Sequence, residues 1–183
     1  MKITSGIYKY RKLEVPRGIR PTTEKVREAV FSMIAPWIPD AEVFDMFAGS
    51  GAMGLEALSR GASHCVFCEA NRANQKILAS NIAACGAGEN SVIIGKDYKA
   101  AISQAAGSGN IFDIVIMDPP YEETSYYDTA LDMLQEYGLI DEGSIVVCEH
   151  LYDNKLSDAY GALVRIKEKK YGSIGVDVFE YCK

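Results

Sequence analysis

Short apolar segments alternate with amphipathic segments along the chain from about residue 42 onward. The strand-like segments read EVFDMF, HCVFCE, SVII, IFDIVIM and GSIVVCE, and the helix-like ones are GAMGLEALSRG, NRANQKILASNIAACG and stretches near 98–106 and 125–136. Strands this apolar, separated by helices, indicate a parallel sheet that helices cover on both faces. We therefore predict an α/β fold with a mostly parallel sheet.

The two ends of the chain add further elements. Residues 162–181 alternate around KYGSIG, which predicts an antiparallel hairpin at one sheet edge and brings the sheet to seven strands. Before the sheet, Thr22 or Thr23 is the expected cap of a helix that ends near Pro36. We predict one domain over residues 1–183, with a basic strand and helix extension over 1–36 and a catalytic core over 42–183.

Composition limits the class of protein. The chain has 183 residues, 48% of them hydrophobic, which is enough for one globular domain with a core. It shows neither an apolar run of membrane-spanning length nor a secretory signal. Its five cysteines are an odd number and lie among apolar residues, which favours free thiols in a reducing compartment. We expect a cytoplasmic monomer without membrane contact.

Charge is distributed unevenly along the chain. The net charge is −6, yet residues 1–31 hold eight basic and three acidic side chains, a balance of +5 against −11 for the remainder. A basic arm on an acidic body can bind phosphates locally, and a solvated segment without a ligand is the alternative. The exposed candidates for such contacts are Arg11, Lys12, Arg17 and Arg20, of which Arg20 could instead anchor the following helix.

A glycine-rich loop follows the first strand of the core. Residues 49–54, GSGAMG, match G-x-G-x-x-G between a strand and a helix, and ligands of open α/β sheets bind outside the carboxyl ends of the strands. Glu69 ends the next strand, where it could accept hydrogen bonds from ribose hydroxyls. The motif alone supports any nucleotide-like cofactor, NAD and FAD included, and a packing turn without a ligand is the alternative.

Acidic residues at successive strand ends narrow the choice of cofactor. Asp45 ends the first strand, so we expect its carboxylate to face the ligand cleft and to repel the pyrophosphate of a dinucleotide. Two like charges 4 Å apart cost about 4 kcal/mol at an effective dielectric constant of 20. S-adenosyl-L-methionine carries an ammonium and a sulfonium and no phosphate, and Asp97 is well placed for its adenine amino group. We predict this cofactor.

The fourth strand ends in Asp118-Pro119-Pro120-Tyr121. Both prolines restrict the residue before them to extended conformations, so the loop is stiff, and neither has an N–H to donate. It therefore presents two acceptors, the carboxylate of Asp118 and the carbonyl of Pro119, which suit an exocyclic –NH2 group. Accepting both N–H bonds draws the nitrogen lone pair out of conjugation, and Tyr121 can stack on an extruded base. Asp118 is not predicted to be an obligatory base.

The segments RPTTEKVREAVF, DMFAGSGAMGLEALSRGA, FCEAN and MDPPY together resemble the RsmD family of bacterial 16S rRNA guanine-N2 methyltransferases. The resemblance implies the Rossmann-like fold of class I methyltransferases. It further implies methylation of the N2 amine of guanine 966 in 16S rRNA, within a partly or fully assembled small ribosomal subunit. A chain of this size leaves no room for a separate target-recognition domain, which favours a substrate whose own fold presents the base.

The resemblance also assigns residues to roles. Implied cofactor contacts are Asp45, Phe47, Ala48, Gly49, Ser50, Gly51, Glu69, Ala70, Asp97, Tyr98 and Asp118. Implied catalytic residues are Asp118, Pro119 and Tyr121. Substrate contacts are predicted at Arg11, Lys12, Arg17, Arg20, Pro120 and Tyr121.

Other activities stay open from the sequence. The same chemistry could act on adenine N6 in nucleic acid or on a glutamine amide in protein, and a nucleotide-binding domain without transfer activity is a further alternative. No metal site is predicted, because Cys65 and Cys68 lie three apart on a strand and should face opposite sides. His64 at a strand edge and His150 after the fifth strand are not predicted to act as bases.

Overall fold

The computed structural model describes residues 1–18, 22–120 and 124–183, and within them it has eight strands and five α-helices. The strands are β1 (Glu42–Asp45), β2 (His64–Cys68), β3 (Ser91–Ile94), β4 (Ile114–Met117), β5 (Ile145–Leu151), β6 (Ala159–Tyr160), β7 (Leu163–Tyr171) and β8 (Ile174–Tyr181). The helices are α1 (Glu24–Met33), α2 (Ala52–Ser59), α3 (Arg72–Cys85), α4 (Tyr98–Gly107) and α5 (Ser125–Glu136).

All eight strands form one sheet in the order β3-β2-β1-β4-β5-β8-β7-β6. The first five are parallel to their neighbours, and β8 pairs antiparallel with both β5 and β7. The chain builds outward from β1 to β3 and then returns to place β4 on the other side of β1. This reversal creates a switch point between β1 and β4, where ligands of such sheets bind at the carboxyl ends.

Two apolar layers cover the sheet, as the sequence predicts. Helices α1, α2 and α3 pack on one face through residues such as Phe31, Leu55 and Leu78. Helices α4 and α5 pack on the other through residues such as Ile102 and Leu131. The predicted Rossmann-like architecture with a C-terminal antiparallel hairpin is thereby confirmed.

Local capping chemistry explains where the helices begin and end. The Asn71 side chain accepts hydrogen bonds from the backbone N–H groups of the first turn of α3, and Gly86 ends that helix in the left-handed region at φ 69°. Thr23, rather than Thr22, caps α1, and Asp97 caps α4. Thr22 is thereby left for contacts elsewhere.

The structure differs from the predicted elements in four places. Strand β1 ends at Asp45, two residues before the end of the predicted strand, and His150 lies buried within β5 rather than after it. The short strand β6 pairs with β7 and brings the sheet from seven strands to eight. In the N-terminal segment the predicted strand is reduced to one antiparallel bridge, Lys2 with Lys12.

A buried ion pair attaches the N-terminal segment to the core. Nε of Arg27 lies 3.2 Å from Oε2 of Glu56, and both side chains are fully buried. Glu56 also accepts the backbone N–H of Thr4 at 2.9 Å. Arg27 therefore serves the packing of α1 against α2 and does not belong to the exposed basic surface.

Other predicted absences concern membranes and cysteine chemistry. In the described part of the chain, no helix combines the length and the apolar character that crossing a membrane requires. Cys65 and Cys68 pack into the apolar clusters on opposite faces of the sheet, as expected for residues three apart on a strand.

Candidate functional site

A cavity of about 550 Å³ opens at the carboxyl ends of the strands, beside the switch point. Loops after β1, β2, β3 and β4 form its walls, together with residues of the N-terminal segment and Tyr126 of α5. Of the predicted cofactor contacts, those that line it are Phe47, Ala48, Gly49, Ser50, Glu69, Ala70, Asp97, Tyr98 and Asp118. Asp45 and Gly51 lie behind this lining.

The loop after β1 depends on its glycines. Gly49 and Gly51 have φ angles of 53° and 80°, in the left-handed region that favours glycine. A Cβ on Gly51 would lie 2.4 Å from the side chain of Leu78, and one on Gly54 would lie 2.3 Å from the ring of Phe67. The loop therefore turns tightly into α2, and that helix packs closely on the sheet.

Glu69 holds the glycine loop from the neighbouring strand. Its Oε2 accepts the backbone N–H of Gly49 at 3.0 Å, and its Oε1 accepts the N–H of Asn71 at 2.7 Å. The side chain is partly exposed to the pocket. Because each carboxylate oxygen can accept two hydrogen bonds, Glu69 keeps capacity for the hydroxyls of a ribose.

Asp45 corrects one prediction of orientation. Its carboxylate lies beneath the glycine loop instead of facing the cleft, and Oδ2 accepts the backbone N–H of Gly54 at 2.9 Å. Burial raises the pKa of Asp45 to about 7, and the nearby carboxylate of Glu69 contributes to the rise. A direct cofactor contact of Asp45 stays a prediction, while its charge lies under the loop that lines the pocket.

Aromatic rings and one acid form the far wall of the pocket. The ring centroids of Phe47, Tyr98 and Tyr126 lie 4.8–5.9 Å from one another. Asp97 lies beside them at the N-terminus of α4, where its Oδ1 accepts the N–H groups of Lys99 and Ala100. Flat apolar surfaces next to a carboxylate are suited to an adenine ring and its amino group.

Tyr126 was missed by the sequence reasoning. It lies in the first turn of α5, and its aromatic neighbour Tyr127 is buried in the core. The YY pair at the start of a helix was the available signal, because adjacent helical residues point in different directions. One of the two could therefore reach the strand ends.

Asp118 and the prolines form the rim of the pocket on the β4 side. Pro119 is buried, Pro120 is exposed, and both line the cavity with Asp118. Burial raises the pKa of Asp118 well above its ordinary value, and the carboxylate of Glu149 raises it further, while a hydrogen bond from Thr22 lowers it. Tyr121, predicted as the stacking ring, lies outside the described residues.

The N-terminal segment brings positive charge near the pocket mouth. Arg11, Lys12 and Arg17 are exposed, and none of them lines the cavity, whereas their neighbours Val15 and Gly18 do. Arg20 lies outside the described residues. The structure thus brings the basic segment to the pocket without placing its charged groups inside.

Residues that the sequence reasoning did not assign to the site also line it. They are Met1, Val15, Gly18, Thr22, Met46, Ala52, Met53, Cys68, Asn74, Lys96 and Tyr126. Thr22 and Asn74 carry the polar groups among them that could have been suspected, but Thr22 was considered only as a helix cap.

The residues of this pocket fit S-adenosylmethionine better than a dinucleotide. Glu69, Asp97 and Asp118 line the described part of the cavity, against a single basic lining residue, Lys96. Such a wall attracts a cationic ligand and repels a pyrophosphate. The aromatic rings beside Asp97 and the ribose-binding capacity of Glu69 complete the set of groups that an adenosyl ligand requires.

Comparison with known proteins gives matches along nearly the whole chain. The family model described as conserved hypothetical protein 95 matches residues 1–180. Ribosomal RNA small subunit methyltransferase D of Escherichia coli is 35% identical over 182 residues, which cover 98% of this chain and 89% of that relative. The Bacillus subtilis protein YlbH is 34% identical over 182 residues, covering 98% of each chain. A solved structure of the Escherichia coli protein yhhF superposes with a TM-score of 0.89 at 31% identity, covering 99% of this chain and 97% of that one.

Proposed function

The chain belongs to the RsmD family, as its sequence predicts, and we propose that it methylates the exocyclic N2 amine of a guanine in 16S rRNA. Guanine 966 is the target that the family resemblance suggests. One observation carries the proposal. The glycine loop with its adenosyl-binding groups and the Asp118-Pro119 acceptors line the same cavity, so a bound cofactor and a target amine would meet there.

The cofactor is S-adenosylmethionine, which supplies an activated methyl group when it is bound. Glu69 accepts hydrogen bonds from the ribose hydroxyls, and Asp97 accepts one from the adenine amino group. Phe47, Tyr98 and Tyr126 enclose the adenine ring. The buried charge of Asp45, under the loop, favours a cation above it.

Asp118 and Pro119 orient the target amine. The lone pair of an exocyclic amine is delocalised into the base, so the free amine is a poor nucleophile. The Asp118 carboxylate and the Pro119 carbonyl accept its two N–H bonds and aim the lone pair into the pocket. Because transfer from a sulfonium releases a neutral group, positioning supplies most of what the reaction requires. Tyr121 stacks on the extruded base.

The basic N-terminal segment guides the RNA to the pocket mouth. Arg11, Lys12 and Arg17 bind phosphates, with Arg20 and Pro120 nearer the target nucleotide. The substrate is a partly or fully assembled small ribosomal subunit, whose fold presents the base to a small enzyme. The protein acts as a monomer built from one domain over residues 1–183.

Labelled methyl transfer tests this function. Small subunits that lack the modification are incubated with the protein and methyl-labelled S-adenosylmethionine, and the rRNA is digested to nucleosides. The expected labelled product is N2-methylguanosine in 16S rRNA. Label in N6-methyladenosine or in a ribosomal protein would overturn the substrate assignment, and absence of any label would favour a binding domain without transfer activity.

Naked 16S rRNA in the same assay tests the role of the subunit. We expect the assembled particle to be the better substrate by about tenfold or more in kcat/KM, because its fold fixes the position of the base. Equal rates on both substrates would contradict that role while leaving the reaction itself intact.

A further inference from the structure

The hydroxyl of Thr22 lies between two carboxyl groups at the β4 side of the pocket. Its Oγ1 is 3.0 Å from Oδ2 of Asp118 and 3.1 Å from Oε2 of Glu149. Thr22 precedes α1, Asp118 follows β4, and Glu149 belongs to β5, so three separate elements meet at this oxygen. Asp118 and Thr22 line the cavity, whereas Glu149 is 4% exposed and lies behind them.

Hydrogen-bond polarity limits how these three groups can be arranged. A hydroxyl has one proton to donate and lone pairs with which to accept, while an ionised carboxylate can only accept. If both acids were ionised, Thr22 could donate fully to only one of them, and two negative charges would face each other in a buried place. A single proton on one acid resolves both problems, because that acid then donates to Thr22 and Thr22 donates to the other.

The surroundings decide which acid keeps the proton during the reaction. Asp45 of β1 and Glu149 of β5 both raise the pKa of Asp118, beyond the effect of its burial, so the empty pair holds a proton. On the β8 side Glu149 pairs with Val176, and His150 and Asp177 lie on the opposite sheet face because strand side chains alternate. On the α5 side, the Tyr127 hydroxyl donates to the backbone carbonyl of Glu149. A cationic cofactor and an amine that donates to Asp118 favour the carboxylate form of Asp118, which leaves the proton on Glu149.

We propose that Glu149 is a positioning residue for methyl transfer: its protonated carboxyl donates to Thr22, whose hydroxyl donates to Oδ2 of Asp118 and leaves Oδ1 for the target amine. This inference rests on the proposed function, since it concerns the acceptor of that amine. It predicts that Glu149 works as a neutral donor, and a neutral donor can be imitated by an amide.

Two substitutions of Glu149 separate this role from a charged one. Glu149→Gln keeps the shape and offers an amide N–H to Thr22, so kcat should stay within about threefold of the wild type. Glu149→Ala removes the donor and frees Asp118 to turn, and kcat should fall about 100-fold, as expected for misplacement of a reacting group. KM for the subunit and the affinity for S-adenosylhomocysteine should change by less than about twofold in both variants.

Substitutions of Thr22 test the same chain should Glu149→Ala fail to fold. Thr22→Ser keeps the hydroxyl and should retain activity, whereas Thr22→Val keeps the shape without it and should lose kcat as Glu149→Ala does. Thermal unfolding monitors the fold of every variant.

Each result bears on the inference. A Glu149→Gln protein as inactive as Glu149→Ala would show that the ionised acid is required and would overturn the inference, as would full activity in Thr22→Val. Wild-type protein that transfers no methyl group to any subunit would overturn the proposed function and this inference with it. An active wild type with equally active variants would overturn this inference alone.

Discussion

Gly49 donates its backbone N–H to Oε2 of Glu69 across 3.0 Å. The end of β2 thus holds the loop that leaves β1, and one carboxylate serves both the loop and the predicted ribose site. Asn71 binds the other oxygen of the same carboxylate at 2.7 Å, so the side chain is fixed before any ligand arrives.

Replacement of Glu69 by Ala should weaken cofactor binding. The change removes charge-assisted hydrogen bonds to the ribose and releases Gly49, so we expect a loss of about 1–3 kcal/mol in binding free energy. Calorimetric titration with S-adenosylhomocysteine measures it. Glu89→Ala, an exposed acid outside the pocket, serves as the control. An unchanged affinity in Glu69→Ala would remove Glu69 from the cofactor site.

Asp45 should make cofactor binding depend on pH. In the ligand-free protein its pKa is raised to about 7, so about half of the molecules carry a neutral Asp45 near that pH. A cation in the pocket favours the charged form and lowers the pKa in the complex. Affinity for S-adenosylmethionine should therefore rise as pH increases through 7 and level off above it.

Asp45→Asn isolates this effect from titration of the ligand. The Asn side chain cannot ionise, so the variant should show only the pH dependence that belongs to the ligand's own amino group. Calorimetry between pH 6 and 8 compares the two proteins. Identical pH profiles would show that the charge of Asp45 does not act on the cofactor.

The close approach of α2 to the sheet should make Gly54 intolerant of a side chain. A Cβ there would meet the Phe67 ring at 2.3 Å and the Cys65 sulfur at 2.6 Å. Gly54→Ala should therefore destabilise the fold by about 1–3 kcal/mol, the range for overpacking a core. Gly107→Ala at the end of α4 meets no atom within 4 Å and should be neutral or stabilising by up to about 1 kcal/mol. Denaturant unfolding of both variants compares these effects, and equal stabilities would contradict the packing argument.

Charge reversal in the N-terminal segment should weaken RNA binding. Changing Arg11, Lys12 and Arg17 to Glu removes phosphate contacts, so affinity for the subunit should fall. The slope of log K against log salt should become shallower, because fewer counterions are released. Binding measured between 50 and 200 mM salt, about the range over which such contacts weaken strongly, shows the change.

The matched control reverses charges on the opposite end of the chain. Lys169 and Lys170 of β7 and Lys183 are exposed, and their change to Glu alters the net charge by the same amount. We expect a smaller loss of affinity from this variant than from the N-terminal one. Equal losses would mean that net charge, and not the N-terminal segment, controls the interaction.

Features decided by local chemistry could be predicted from the sequence. Helix α3 begins after Asn71 and ends at Gly86 as expected, because a capping side chain and a left-handed glycine act within one turn. The glycine loop and the acids after it could be placed for a similar reason, since the carboxyl ends of parallel strands meet at one edge.

Features decided by distant partners could not be predicted. Asp45 was expected to face the cleft, but the N–H of Gly54 holds its carboxylate beneath the loop. The contacts of Thr22 with Asp118 and Glu149 span 96 and 127 residues of sequence. No local pattern encodes them, because they depend on where α1 is packed against the sheet.

The most direct test of the account is a pair of measurements on Asp118→Ala. The adenosyl-binding groups lie after β1, β2 and β3, while Asp118 follows β4, so the two tasks of the pocket should separate. Methyl transfer to subunits should fall at least about 100-fold, and affinity for S-adenosylhomocysteine should stay within about threefold of the wild type. Asp132→Ala, an exposed acid on α5, should change neither. Loss of transfer and binding together, or transfer at the wild-type rate, would contradict the assignment of Asp118 to the target amine.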